Sequence, residues 1–431
     1  MKTKVISFFL CLLFYTGFGQ SDVSFEEVFA LALQGNKEIS ISQQQIAYET
    51  ELKKSAFDLG NTEFIWFSKQ YNSLSDDNGF SISQRIPFPT LMAAQSSLAK
   101  DKIQGAMRQE EMTINKIRKE VKSGYYYIVY LNALHELLRE IDSLALDLKS
   151  KSDHRYAIGD AILLEKTAAE MQALESKRQL LQNEDDKLIA SKHLQILTHS
   201  LAELKISEKL TKLPFTEFNS PLSEGNPTVR YWDQQVKINT SRKKVERQKL
   251  LPDIIFTYFN TTFVGYQRVG SQDVYFGPDE HFSSFQLGAS FPLWFVPQHG
   301  RNKAVSLNEE IAREQLNHSM FSTQKTFEQS LLRLNKHLKN ITYFEDVALK
   351  NADLILKQAN TSFAAGEIGY LEYVQALKST HTIRATYLDE VNLYNQLVIE
   401  LEFLIGKNEN VKHKEYHRYF LSFFCWGILH K

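Results

Sequence analysis

The sequence is poor in cysteine, with two in 431 residues. Cys11 lies in an apolar run at the N-terminus, and Cys425 lies in the C-terminal tail. Once the N-terminal run is removed, one cysteine remains, which excludes a disulfide framework within the mature chain. The net charge is also low, because 50 basic residues stand against 51 acidic ones. A nucleic-acid partner usually requires a basic excess, so we predict no nucleic-acid binding.

Long hydrophobic runs are confined to the N-terminus. Residues 1–19 predict a secretory signal peptide, with two lysines before an apolar run and small residues at Gly17 and Gly19. The mature chain is therefore predicted to begin at Gln20. No later stretch reaches the ~18 apolar residues that a membrane-spanning helix requires. We expect an exported protein that enters a membrane, if it does so, through strands.

Catalytic and metal-binding patterns are missing as well. We find no Ser-His-Asp or Cys-His arrangement and no glycine-rich phosphate loop in a usable context. The twelve histidines are scattered, and the pair four residues apart, His413 and His417, lies in a tail rich in lysine and arginine. The sequence therefore predicts neither an enzyme nor a site for a metal or a cofactor.

Two stretches, in contrast, alternate apolar and polar residues. In residues 282–293, every second residue from Phe285 to Leu293 is apolar, and polar residues, glycine or proline lie between them. Residues 80–88 alternate in the same way, with an interruption at Gln84. Alternation over about ten residues is typical of a strand in a soluble sandwich, and also of a strand that crosses a bilayer in a barrel.

Each of these stretches leads into a long helical pattern. Pro87 and Pro292 mark the two strand exits, one residue before the end of each stretch. Residues 90–149 contain no proline and keep the three-and-four spacing of apolar residues, which predicts a helix of roughly 85 to 90 Å that packs on other helices. A break at Gly159 separates it from a second long helix, predicted at about 161–201.

The same order of elements occurs twice. Gly35 and Asn36 in the first half correspond to Gly225 and Asn226 in the second, and the strand exits and helix reversals follow in register. The second hairpin is longer, and an insertion is tolerated best in a surface loop. The predicted boundaries are 1–19 for the signal peptide; 20–213 for the first repeat, with a hairpin at 61–88 and a tip at 156–160; 214–226 for a connector; 227–406 for the second repeat, with a hairpin at 252–293 and a tip at 363–367; and 407–431 for an atypical tail.

Two hairpins give four strands per chain. In the second hairpin, residues 268–281 are predicted to form a loop. Four strands cannot close a barrel, and an open strand edge cannot remain in hydrocarbon, so membrane strands would have to be shared among several chains. The long helices are rich in charge, for example at 116–122, and must project into water. The pattern predicts a barrel in an outer membrane that a helical tube continues.

The residues around the two helix reversals add a family resemblance. They read YAIGDAILLEKTAAE at 156–170 and FAAGEIGYLEYVQALKSTHTIRA at 363–385, and the strand exits read RIPFP and SFPLW. With the duplication, these segments resemble the TolC-like outer-membrane efflux protein family over roughly residues 24–406. The resemblance implies a mainly α-helical fold with a β-barrel part. In it, a homotrimer forms a 12-stranded transmembrane β-barrel and a periplasmic tunnel of long helices.

The same resemblance implies a function. A member of this family would lie in the outer membrane, in contact with its lipid, and extend into the periplasm. It would serve as the passive exit duct of a tripartite efflux system, with a periplasmic adaptor protein and an inner-membrane pump as partners. Two other interpretations stay open, namely a duct for protein or peptide secretion and a periplasmic coiled-coil structural protein without a pore.

Four residues at the helix reversals are candidates for docking the adaptor: Gly159, Asp160, Gly366 and Glu367. Glycine there permits the positive φ that ends a helix, and an acidic residue suits the N-terminus of the next helix, so a purely structural role explains them too. The family resemblance implies that these tips also dock the adaptor.

Candidate entrance residues follow each reversal. Glu165 and Glu372 lie six residues past their glycines, which we predict to be more than one turn into the next helix. Three copies of each would form a negative ring that favours cations, although a solvated helix face explains them equally. Phe363 and Ile368 replace the tyrosine and arginine that occur in the family, so we expect hydrophobic closure as an alternative. Trp66 and Trp294 lie in or beside the hairpins and are candidates for an interface girdle, with core packing as the alternative.

Overall fold

The computed structural model describes residues 22–69, 74–215 and 225–406. The predicted signal peptide, most of the connector at 214–226 and the tail at 407–431 lie outside the described residues. Within the described ranges, none of the helices combines the length and the hydropathy that a membrane-spanning helix requires.

Long helices and short strands alternate along the chain. The helices are α1 (Phe25–Gly35), α2 (Lys37–Leu52), α3 (Pro89–Ala157), α4 (Leu163–Thr198), α5 (Pro227–Gln248), α6 (Phe295–Tyr343), α7 (Leu349–Ala364) and α8 (Tyr370–Ile405). A short 3₁₀ helix (Lys53–Phe57) follows α2, and a π-helical segment (Phe344–Ala348) joins α6 to α7. The strands are β1 (Thr62–Lys69), β2 (Asp77–Ile86), β3 (Asp253–Thr262), β4 (Gly265–Val269), β5 (Gln272–Phe276) and β6 (His281–Ser290).

The chain forms two compact units, and each takes segments from both predicted repeats. The first falls within Met1–Ile39, Thr113–Asn226 and Ser322–Lys431, and the second within Ser40–Met112 and Pro227–Phe321. The first unit is helical. All six strands belong to the second unit.

The four predicted strands pair in one antiparallel sheet with the order β1-β2-β3-β6. The register places apolar residues opposite one another across all four strands. In one such row, Phe64 lies opposite Ile82, Ile82 opposite Tyr258, and Tyr258 opposite Phe285. Directly opposite residues point to the same side of a sheet, so one face is largely apolar. Phe64 and Phe285 are 63% and 72% exposed, so nothing among the described residues covers this face at its edges.

The opposite face of the sheet is largely polar. Its rows include Ser83 opposite Thr257 and Thr257 opposite Gln286, and the hydroxyls of Ser83 and Thr257 are 2.9 Å apart. Arg85 lies on the same face, next along β2. The sheet therefore separates an apolar surface from a hydroxyl-rich one, as the alternation in the sequence predicted.

The prediction of a loop at 268–281 is partly wrong. Strands β4 and β5 form a separate two-stranded hairpin there, so the described residues contain six strands rather than four. The turn places Gly270 at φ +66°, the left-handed conformation that two-residue hairpin turns require. Tyrosine and valine on both sides of the turn favour strands, and the two tyrosines, Tyr266 and Tyr275, are direct cross-strand partners.

Two other boundaries differ from the predictions. The strands β2 and β6 end at Ile86 and Ser290, before Pro87 and Pro292 rather than beyond them, because proline has no N–H to donate to the ladder. The long helical stretch between β6 and the second reversal is interrupted by the π-helical segment between α6 and α7. The first long helix, in contrast, is longer than predicted, with 69 residues in α3.

Three hydrophobic clusters form the core of the first unit, and the smallest of them includes Leu148 and Leu377. The other two are larger. One contains α1, α3 and α4 residues, and the other contains α6 and α8 residues. Tyr126 and Leu210 pack against both clusters. Burial raises the pKa of Tyr126 to about 12, with the charge of Glu208 as a smaller cause. Leu210 belongs to the extended segment 203–215, which therefore spans the two clusters.

The two Gly-Asn pairs cap the ends of two long helices. The Asn36 side-chain amide donates to the carbonyl of Leu197, near the end of α4, at 2.8 Å. The Asn226 amide donates to the carbonyl of Leu404, near the end of α8, at 2.8 Å. Each bond satisfies a carbonyl that has no partner within its own helix. The landmarks that repeat in the sequence thus repeat in structure.

Candidate functional site: the two helix reversals and the strand exits

The first helix reversal closes α3 with a Schellman motif. The N–H of Gly159 donates to the carbonyl of Tyr156 at 3.1 Å, and the N–H of Asp160 donates to that of Arg155 at 2.8 Å. Gly159 has φ +79°, so the position favours glycine.

The second reversal repeats this geometry after α7. The N–H of Gly366 donates to the carbonyl of Phe363 at 3.2 Å, and the N–H of Glu367 donates to that of Ser362 at 2.8 Å. Gly366 has φ +74°. The two reversals are therefore copies of one structure, in which the acidic residue after glycine lies against the residue five positions earlier.

Arg155 clamps the first reversal. Its Nε donates to the Asp160 carboxylate at 3.0 Å, and its Nη1 donates to the Glu165 carboxylate at 2.7 Å. The hydrogen bond to Asp160 and then the charge of Glu165 raise the pKa of Arg155. The Glu165 side chain is 16% exposed, so its ion pair is better shielded from water than that of Asp160, which is 66% exposed. Arg155 thus offsets part of the negative charge of this tip.

The second reversal uses neutral donors instead. The Ser362 hydroxyl donates to the Glu367 carboxylate at 2.9 Å, and the N–H of Gly369 donates to the Glu372 carboxylate at 2.8 Å. In the described part of the chain, neither Glu367 nor Glu372 has a cation as an ion-pair partner. The second tip therefore keeps more of its negative charge than the first.

The predicted depth of the two entrance carboxylates is wrong. Glu165 and Glu372 lie in the first turns of α4 and α8, which begin at Leu163 and Tyr370. The chain bends after each glycine and is extended at Ile162 and Gly369, so the helices begin later than the spacing suggested. A carboxylate in a first turn is stabilised by the positive end of the helix dipole, which gives both residues a structural role.

Phe363 and Ile368 pack inside the protomer. Both contact a cluster of buried residues that includes Leu148 and Leu377. The Phe363 ring stacks on Tyr373, with centroids 4.4 Å apart and an interplanar angle of 8°. Both side chains are half-buried by their own chain, so a role in hydrophobic closure stays a prediction that requires them to reach a neighbouring copy as well.

Apolar side chains at the tips are exposed. Ile158, Ile162 and Leu163 are 66%, 67% and 61% exposed at the first reversal. Leu164 and Leu371, each five residues past its glycine, are 67% and 68% exposed. Exposed apolar side chains at both reversals are candidates for an interaction surface. We call these five residues the tip patch.

The residues that hold and surround the tips are not among the site residues predicted from the sequence. Arg155 and Ser362 each stand five positions before an acidic residue, and the Schellman motif brings these two positions together. That spacing around a helix-ending glycine is a signal that could have identified both donors. The tip patch had no comparable signal, because exposure is not visible in the sequence.

The two candidate girdle residues lie near opposite ends of the sheet. Trp66 belongs to the apolar face of β1, opposite Phe80, and is 66% exposed. Trp294 follows Pro292 at the strand exit, directly before α6, and is 85% exposed. Neither is packed in a core. Within the described ranges, no group of three or more His, Cys, Asp or Glu side chains is placed to hold a metal ion.

Comparison with solved structures places this architecture among known folds. The Campylobacter jejuni CmeC outer membrane channel has a TM-score of 0.75 at 13% identity, covering 93% of this chain and 93% of that chain. The Vibrio cholerae outer membrane protein VceC has a TM-score of 0.72 at 14% identity, covering 89% and 96%. The open Neisseria gonorrhoeae MtrE outer membrane channel has a TM-score of 0.68 at 14% identity, covering 91% and 94%.

Comparisons based on sequence give no match. No known protein family and no curated protein matches this chain. The likeness is therefore one of architecture, and it extends over nine-tenths of both chains in the examples above. The chain has the fold of the TolC-like outer-membrane efflux channels, as the resemblance of its strand-exit and tip segments implied.

Proposed function

We propose that this protein is the outer-membrane exit duct of a tripartite efflux system. In this role it conducts small molecules or metal ions passively from an inner-membrane pump and a periplasmic adaptor to the exterior. The observation that carries the proposal is the four-stranded sheet, in which an apolar row crosses all four strands on one face and Ser83, Thr257 and Gln286 lie on the other face. A strand with lipid on one side and water on the other requires this pattern.

The edges of the sheet support assembly. β1 and β6 are the edge strands, and in the antiparallel order they run in opposite directions. The β6 edge of one copy is therefore able to continue the ladder with the β1 edge of the next. Three copies supply twelve strands, enough for a closed barrel in which no backbone group faces hydrocarbon without a partner.

The helices account for the rest of the duct. At 69 residues, α3 is about 100 Å long, more than three times the hydrocarbon thickness of a bilayer. Its ion pairs include Lys149 with Asp153 and Lys151 with Asp147, which belong in water. Such helices fit a tunnel that extends from the outer membrane into the periplasm.

The tips fit a docking site for a periplasmic adaptor protein. The tip patch supplies exposed apolar surface, and Asp160, Glu367 and Glu372 supply negative charge beside it. Gly159 and Gly366 hold the two reversals in matching conformations. An adaptor surface that combines apolar and basic side chains would complement these residues.

Purification and electrical recording test this proposal. The full chain, extracted from outer membranes in detergent, is expected to have the mass of three copies by light scattering. In planar bilayers it is expected to form channels of defined single-channel conductance. A soluble monomer that does not enter detergent or lipid, or a membrane protein that never conducts, would contradict the proposal.

The entrance carboxylates have a test of their own. If Glu165 and Glu372 line the entrance, replacing both by glutamine lowers the preference for cations, because it removes two negative charges per chain while keeping hydrogen-bond acceptors. Reversal potentials in a salt gradient measure this preference. Unchanged selectivity in the double variant would show that these residues act only as helix caps.

A further inference from the structure

The polar face of the sheet changes character at the end farthest from the helices. Near the middle it presents Ser83, Thr257 and Gln286. At the far end the same face presents aromatic rings. Phe259 lies opposite Ser81 and Ser284, and one row further Phe282 lies opposite Thr261.

Phe67 belongs to the same end of the same face. It pairs with Gly79 on β2, and a side chain added at Gly79 would meet the Phe67 ring within 3 Å. The ring therefore lies across the glycine, over the polar face. Gly79 in turn lies opposite Thr261, which completes the row from Phe67 to Phe282.

The additional hairpin is fixed to this aromatic end. Phe263, just before β4, and Phe276, at the end of β5, both contact the ring of Phe282. The centroid distances are 5.4 and 5.2 Å, and both pairs have edge-to-face geometry. Since Phe282 projects on the polar face, the hairpin is anchored on that side and not on the apolar side.

Buried hydrogen bonds hold the start of the hairpin in place. Asp77 is 1% exposed. Its carboxylate accepts hydrogen bonds from the N–H of Val264 at 2.9 Å and from the Thr262 hydroxyl at 3.2 Å. These bonds connect the chain after β3 to the beginning of β2. The hairpin therefore has a defined position rather than that of a free loop.

We propose that Phe67, Phe259, Phe263, Phe276 and Phe282 form an aromatic filter on the water-facing side of the sheet, at the exit of the duct. This inference rests on the proposed function. Aromatic rings hold water poorly and narrow the passage, so small hydrated ions cross the filter slowly. Their faces attract organic cations and flat apolar groups. The cargo class that the filter favours is amphiphilic molecules with an aromatic or cationic part.

A matched pair of variants on one strand tests the filter. Phe282→Ala removes a ring from the polar face, and Phe285→Ala makes the same change on the apolar face, three residues away. Single-channel conductance of the reconstituted full chain is expected to rise about twofold in Phe282→Ala, because an apolar constriction is relieved. In Phe285→Ala it is expected to stay as in the wild type.

A blocking cation gives a second readout. Tetraphenylphosphonium, added on the side of the strand loops, is expected to block the wild-type channel. The block is expected to weaken roughly tenfold in the triple variant Phe263→Ala, Phe276→Ala and Phe282→Ala, because the loss of several ring contacts removes cation–π attraction. If the alanine variants fail to assemble, Phe282→Leu replaces them, because it keeps the bulk and the apolar character of the side chain. It is expected to weaken the block by tetraphenylphosphonium without raising the conductance.

The outcomes separate the filter from the duct. A conducting wild type with equal conductance and equal block in all variants overturns the filter and leaves the proposed duct in place. A rise in conductance in Phe285→Ala equal to that in Phe282→Ala also overturns the filter. A wild-type trimer that never conducts overturns the proposed function, and the filter with it.

Discussion

Gly35 and Gly225 are residues at which a single methyl group is predicted to matter. A Cβ at Gly35 would clash with the carbonyl oxygen of Thr198, and a Cβ at Gly225 with that of Ile405. In each case the obstacle is backbone, which moves less easily than a side chain. The two glycines let the neighbouring asparagines reach the helix ends.

We expect Gly35→Ala to destabilise the protein by about 1–3 kcal/mol, because it overpacks a buried contact. Gly300→Ala is the control, since a Cβ at Gly300 meets nothing within 4 Å. Thermal unfolding followed by circular dichroism in detergent is the measurement. Equal unfolding midpoints for the two variants would show that the α4 end relaxes around the methyl group.

Glu309 is a carboxylate whose ionisation stabilises the fold. It accepts hydrogen bonds from the Lys243 ammonium and the Arg313 guanidinium, each at 2.8 Å. These two bonds, the one from Lys243 first, lower the pKa of Glu309 to about 2. Because the pKa in the folded state lies below its ordinary value of 4.5, the stabilisation is full above that value and is lost as pH falls towards 2.

We expect Glu309→Gln to lower stability at neutral pH by about 1 kcal/mol, a value that allows for screening by solvent. The difference from the wild type should shrink as pH falls below about 4. Unfolding midpoints at several pH values measure it. Glu310→Gln, a change of the same charge at the neighbouring exposed residue, is the control and is expected to have little effect at any pH.

Sequence reasoning found the Gly-Asn pairs but not their role. Gly35 and Asn36 were recognisable because they recur at Gly225 and Asn226. The contacts that require them involve residues near the end of α4, more than 160 positions along the chain. No local pattern contains that information, so the sequence alone does not predict that these pairs cap other helices.

At the scale of elements, the two tips differ in charge although their backbones match. Arg155 neutralises part of the first tip, while the second tip has a serine in the same place. If the tips line the entrance, Arg155→Gln exposes the charges of Asp160 and Glu165. We then expect the preference for cations over anions to rise by roughly twofold.

Reversal potentials in a salt gradient measure this change. Arg139→Gln is the control, because it removes the same charge from α3 about 24 Å away along the helix, beyond the screening length of roughly 10 Å at ordinary ionic strength. An equal rise in cation preference in both variants would show that the overall charge of the protein causes it, and not the charge at the tip.

The elements themselves were largely predictable. Alternation over about ten residues identified two of the four long strands, β2 and β6, and three-and-four spacing identified the long helices, because both periods extend over many residues. The hairpin of β4 and β5 was missed since each strand has five residues and the intervening residues resemble a loop. The π-helical segment was missed because it arises from packing and leaves no period of its own.

At the scale of the molecule, the two faces of β6 make a direct test of membrane insertion. Leu287 lies on the apolar face and is 76% exposed, and Gln286 lies on the polar face. We expect Leu287→Lys to cost about 2–4 kcal/mol if the residue faces the middle of the bilayer. Gln286→Lys, the same new side chain one residue away, is expected to be tolerated in a water-filled interior.

Insertion into lipid vesicles, scored as the fraction of heat-modifiable protein on gels, measures the difference. Reduced insertion for Leu287→Lys alone would support the assignment of the faces. Equal insertion of the two variants would mean that this sheet does not face lipid with its apolar side.

An even number of main strands in each protomer has a consequence for stoichiometry. Because the number is even, the β6 edge of the last copy is antiparallel to the β1 edge of the first copy, whatever the number of copies. The direction of the strands therefore does not determine the number of subunits. If three copies form the proposed duct, their number would then depend on the walls formed by the long helices, through the angle at which neighbouring protomers pack. Changes in those walls should therefore alter the subunit number without any change to a strand.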